Sequence, residues 1–125
     1  MNVVVWIVTG LLAALFLMAG TTKLAKSREQ LGTDPRMGWS QDLPAGMIKL
    51  IGAAEVLGGL GLVLPGALEV ATWLVPAAAI GLAVLMAGAV VTHARRNEAA
   101  SAGFNVVLLA LAVFVAVERI GPQAF

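Results

Sequence analysis

Glu55 is the residue best placed to do chemistry in this sequence. It stands in MIKLIGAAEVLGGLGLVLP, about ten residues from either end of an apolar stretch. A carboxylate at mid-bilayer depth costs about 3 kcal/mol or more, so it must face other helices, find a partner, or carry a proton. Gly52 and Gly59 lie three before and four after it, on the same helical face, where they admit a close neighbour. Two roles stay open for Glu55. It serves a bound molecule as an acid, base or hydrogen-bonding group, or it bonds across helices and holds the bundle together.

Three further groups lie at the ends of apolar stretches: Lys23, Lys49 and His93. Each lysine either snorkels, with its stem in lipid and its ammonium at the interface, or serves Glu55 as a counter-ion. Lys49 is six residues before Glu55 and about 120° round the helix, so Lys23 is the better counter-ion. His93 is the only histidine. It donates to a carbonyl, passes a proton, or caps a helix C-terminus. A lone His with no Cys or carboxylate at helical spacing points to no metal site.

Met86, seven residues before His93, is a weak ligand candidate and more naturally packs. Asn105 enters the bilayer near the start of the last stretch and should bond across helices. Gly81 and Gly88 read as a packing seam. There is no cysteine, which excludes thiol nucleophiles, disulfide relays and iron–sulfur ligation. No phosphate loop, paired carboxylate or Ser–His–Asp set occurs.

The elements that position these groups follow from composition. Of 125 residues, 60% are hydrophobic and 12% charged, and the mean hydropathy is +0.95. So small a chain cannot bury that much apolar surface in one core. Its solvent is lipid, and a bilayer takes roughly 20 apolar residues per crossing. The sequence predicts an all-α, single-domain membrane bundle with spans over about 3–24, 44–64, 70–93 and 103–120, and a polar loop over 25–43. The first span reads as a permanent helix, because the basic residues follow it instead of preceding it. Pro65-Gly66 is expected to end the second span, and the fourth is expected to be the shortest.

Six of the eight Lys and Arg residues, Lys23, Lys26, Arg28, Arg36, Arg95 and Arg96, flank two connections, against Arg119 alone on the other side. The positive-inside rule then puts loops 25–43 and 94–102 in the cytoplasm and both termini outside. Trp6 and Trp73 fall at the outer interface and Trp39 at the inner one. The net charge of +1 suggests no nucleic-acid partner. Lipid is the expected surrounding.

Three stretches resemble the DoxX-like family of four-helix membrane proteins, within the DoxX/DoxD group. They are Ala19-Gly20-Thr21-Thr22-Lys23-Leu24; Leu43-Pro44 with Ile51-Gly52-Ala53-Ala54-Glu55 continuing to Pro65; and Met86 to His93. Asn105 and Arg119 extend the pattern. The resemblance implies a bacterial inner-membrane bundle with Lys23, Glu55 and His93 as its polar site. Some relatives are membrane subunits of thiosulfate:quinone oxidoreductases, and others are linked to oxidative-stress assemblies.

The leading expectation is a module that binds a small hydrophobic or quinone-like molecule between its helices. It would be one subunit of a membrane redox assembly, as a homo-oligomer or with other membrane subunits. Alternatives are a proton-coupled small transporter, a structural subunit, and an acid–base enzyme acting on a lipid-soluble substrate. No cofactor is certain; a quinone is the one implied.

Overall fold

The computed structural model covers residues 1–125 and describes all of them except the side chain of Arg36. The expectation that Arg36 adds to a basic loop therefore lies outside the described residues. The order is α1 (Asn2–Ala25), α2 (Arg28–Gly32), a 3-10 segment (Pro35–Asp42), α3 (Ala45–Leu68), α4 (Leu74–Arg95) and α5 (Ala99–Ile120). Four of these helices, α1, α3, α4 and α5, are long and apolar enough to cross a membrane. At 1.5 Å per residue their 22 to 24 residues span about 33–36 Å.

The helices form a four-membered ring in which α1 packs on α3, α3 on α4, and α4 on α5. Contact between α1 and α5 is sparse. Leu12 and Phe16 of α1, Leu62 of α3, Leu82 and Met86 of α4, and Val115 of α5 fill the centre. Large apolar side chains such as Ile7, Leu57, Val84 and Val117 point outward. In water this outer surface would drive aggregation; against acyl chains it carries no such cost. Apolar burial therefore contributes little to holding the helices together, and close packing and polar contacts take its place.

The second span corrects one sequence expectation. Pro65 and Gly66 lie inside α3, which continues to Leu68. A proline is tolerated in a lipid-embedded helix, where neighbouring groups re-satisfy the freed backbone. The helix ends instead on Glu69, whose φ of 55° is left-handed. There Val70 N–H donates to Pro65 O at 3.1 Å and Glu69 N–H to Gly66 O at 3.4 Å, the paired bonds of a Schellman terminus. Ala71 is also at positive φ, 47°, so α4 starts at Leu74, later than expected. The last helix begins at Ala99, earlier than expected, and at 22 residues it equals α4.

Glycines set the tightest crossing. A Cβ at Gly20 would stand 2.6 Å from Gly52 O and 2.9 Å from Val56 N. Both are backbone atoms and cannot swing away. A Cβ at Gly59 would reach Ala13 O at 3.2 Å. Gly81 and Gly88 behave differently: both are exposed, with nothing within 4 Å of an added Cβ. They are no seam within this chain, because that face of α4 looks outward.

Gly20→Ala should therefore force α1 and α3 apart and destabilise the bundle by about 1–3 kcal/mol. Thermal unfolding in mild detergent measures this. Gly10→Ala, with open space around the new methyl, should be neutral or slightly stabilising.

Candidate functional site

The α1–α3 crossing brings the first polar pair together. Lys23 lies on the last turn of α1 and Glu55 in the middle of α3, three residues beyond Gly52. Because Gly52 has no side chain, the Lys23 stem passes over it; an added Cβ there would lie 2.9 Å from Lys23 Cβ. The ammonium then reaches Glu55 Oε1 at 2.7 Å. The two side chains are only 8% and 4% exposed. A buried ion pair of this kind gains Coulomb energy in a low dielectric but pays heavily for desolvation. Either partner left alone would be costly.

Trp39 packs against the lysine of the pair. It comes from the 3-10 segment, and its ring centroid lies 5.5 Å from Lys23 Nζ, a cation–π contact. Its other neighbour is the His93 ring, edge-on at 6.5 Å between centroids and 81° between planes. The sequence treats Trp39 as an interfacial anchor only. Here it joins the Lys23–Glu55 pair to His93.

His93 is fixed from the far side of the α4–α5 turn. That turn is a second Schellman terminus, with Asn97 at φ 58°. Glu98 N–H donates to His93 O at 2.9 Å and Asn97 N–H to Ala94 O at 3.2 Å. The backbone thus folds Glu98 back onto His93, whose Nδ1 lies 2.8 Å from Glu98 Oε1. An ionised carboxylate only accepts, so Nδ1–H is the donor and Nε2 is the nitrogen left for other chemistry. The hydrogen bond from His93, aided by the Arg96 charge, holds the Glu98 carboxyl below its ordinary value. Its contribution is complete above the ordinary carboxylate range and is lost only as pH falls through the lower folded value.

The covering segment is tied down on both sides. Ser27 caps α2 in a capping box with Gln30. Arg28 Nε donates to Leu43 O at 2.8 Å, and Arg28 Nη2 also donates to Gln41 O. Across the bundle Arg96 lies against Gly38 and pairs with both Asp42 and Glu98. The Arg96 and Asp42 side chains are half exposed, and such pairs contribute about 0–1 kcal/mol. The α4 side of the cover is the weaker fastening.

The remaining candidates separate by role. Lys49 donates to Lys23 O, Leu24 O and Lys26 O at 2.9, 2.8 and 2.7 Å. It neither snorkels nor pairs with Glu55; it satisfies the last carbonyls of α1, where a cation is favoured. Met86 is buried in the apolar core, away from the polar cluster. Asn105 is half-buried and, among the described residues, makes no side-chain hydrogen bond, contrary to the expected cross-helix bond. Glu98 is a site residue that the sequence reading missed. Its signal was a carboxylate five residues after the only histidine, across a turn.

Two grooves lie elsewhere. One of about 290 Å³ runs between α3 and α4, lined by Ala54, Gly58, Gly81 and Leu82 among others. Another of about 440 Å³ lies under the α4–α5 turn and borders Glu98.

If Arg96 fastens the cover, removing it should loosen the segment. The absence of native cysteine permits a Ser40→Cys reporter at a fully buried position. Thiol labelling should be slow in that protein and clearly faster when Arg96→Ala is added. Equal labelling rates would show that Arg96 does not hold the segment.

A family model described as the DoxX-like family matches residues 7–115. Comparison with curated proteins and with solved structures finds no match. The matched stretch contains Lys23, Trp39, Glu55, His93 and Glu98, whereas Arg119 lies beyond it. With four spanning helices and this match over most of its length, the chain is a multi-pass membrane protein belonging to the DoxX-like family.

Proposed function

We propose that this protein binds a small lipid-soluble, quinone-like molecule at its basic end, as one subunit of a membrane redox assembly. The observation that carries the reading is the buried Lys23–Glu55 pair beneath Trp39. The ammonium has three donors, and the pair leaves some of them for a carbonyl oxygen of the bound molecule. Trp39 presents an aromatic face to the same ammonium, so a planar ring enters by taking its place. His93, whose Nδ1–H donates to Glu98, leaves Nε2 to accept from the hydroxyl that the second carbonyl becomes when the ring is reduced. Oxidation of the reduced ring releases two protons with its two electrons, which the Glu55 carboxylate and His93 Nε2 accept, and reduction returns them. The electrons come from partner subunits, since this chain has no cysteine and gathers no group of three metal-ligating side chains among its described residues. The positive-inside rule puts this end of the bundle at the cytoplasmic face.

A second reading has its own support. The pair sits beside the Gly20–Gly52 crossing, where it can serve as a clamp between α1 and α3.

Purifying the parent and Glu55→Gln in mild detergent, then extracting and quantifying isoprenoid quinone, separates the two. Glu55 holds the Lys23 ammonium that donates to the carbonyl, and losing that charge-assisted hydrogen bond costs about 1.5–3 kcal/mol, so quinone retention should fall about tenfold or more in the variant. A variant with lower thermal stability and unchanged retention leaves only the clamp.

A further inference from the structure

The opposite end of the bundle holds a second charged residue in a closed setting. Arg119, on the last turn of α5, is 4% exposed. Its Nη1 donates to Asn2 Oδ1 and to Gln123 O, both at 2.8 Å. Its Nε and Nη2 are buried and have no hydrogen-bond partner, and no carboxylate pairs with the guanidinium among the described residues. Two rings flank it. Trp6 lies 5.2 Å and Phe125 4.2 Å from the guanidinium carbon, and the rings meet edge to face at 5.8 Å.

The two unused nitrogens are not scattered. Nε and Nη2 form one edge of the guanidinium, and their N–H bonds run parallel. That edge accepts two oxygens of a single phosphate or carboxylate side by side. A buried cation with no anion is costly, and an unmade hydrogen bond at a charged donor adds to the cost. Asn2 and Gln123 accept from the other side and bring no charge.

We infer that this edge of Arg119 is a binding site for the phosphate of a membrane phospholipid. The site lies at a helix end, at the depth of lipid headgroups. The exposed side chains around it, Val3, Val4, Val117 and Ile120, are apolar and suited to acyl chains. Phe125 is the movable part of the cover. It follows the end of α5, is 49% exposed, and rests in the notch left by Gly66 of α3, where a Cβ would lie 2.5 Å from its ring. When the ring leaves that notch it uncovers the guanidinium it now lies against, while Trp6 and Asn2 keep the guanidinium in place. This site stands apart from the Lys23–Glu55 cluster. Asn2, Trp6, Arg119, Gln123 and Phe125 all lie outside the residues matched by the family model.

Native mass spectrometry of the full chain in neutral detergent, with added phosphatidylglycerol, tests the assignment. The parent should retain the lipid, and Arg119→Gln should retain it about tenfold less. Phe125→Ala keeps the guanidinium and uncovers it, so retention should rise. Diacylglycerol with the same acyl chains should be held equally weakly by all three proteins. Displacement of phosphatidylglycerol by inorganic phosphate at matched concentration would confirm the phosphate chemistry and show that free phosphate also reaches the site. Equal phosphatidylglycerol retention in parent and Arg119→Gln overturns the inference. Should Arg119→Gln fail to fold, Phe125→Ala decides the matter, and unchanged or lower retention in that variant overturns it.

Discussion

An ion pair inside a lipid-embedded bundle sets the terms for everything around it. Lys23 and Glu55 meet at 2.7 Å with almost no exposure, and neither charge is tolerable there without the other. Their meeting requires α1 and α3 to come closer than ordinary side chains allow, which Gly20 and Gly52 permit. It also requires the end of α1 to be held where Lys23 can reach. Lys49 does this by taking three carbonyls at the α1 terminus. The two lysines, on facing helices, thus do different work side by side. One neutralises a buried acid, and the other finishes a helix.

Around this pair the polar residues form a relay of contacts instead of a single shell. Trp39 touches both Lys23 and His93; Glu98 orients His93; Arg96 connects Glu98 with Asp42 and so returns to the segment that carries Trp39. The buried members of this loop are the strongly held ones, and the outer members are exposed pairs of small energetic value. Burial is thereby divided: the Lys23–Glu55 pair is closed off from solvent, and the Arg96–Asp42 pair is open to it.

Much of this was legible in the residues. Apolar runs of about 20 residues define the four crossings, because lipid imposes that length on any helix. The inward face of Glu55 followed from Gly52 and Gly59, and helical angle set Lys49 aside and left Lys23 as the better counter-ion, with snorkelling still open for it. What escaped depended on tertiary placement. Pro65 looks like a stop signal by rules learned in water, yet the helix runs through it and ends on Glu69. Gly81 and Gly88 share a face by spacing, but spacing does not say which way that face turns. Trp39 and Glu98 belong to connections, whose path is set by local caps and turns, and no periodicity predicts it. Asn105 is half-buried but, among the described residues, lacks the partner expected of it.

The sparse contact between α1 and α5 has a mechanical meaning. The molecule is two tightly joined helix pairs, α1 with α3 and α4 with α5, linked along one side like the covers of a book. Each open corner carries a clasp: Trp39 and Arg96 at one end, and Arg119 with Asn2 and Trp6 at the other. Releasing one clasp leaves the spine and the other clasp intact, so the two ends of the book are mechanically independent of each other.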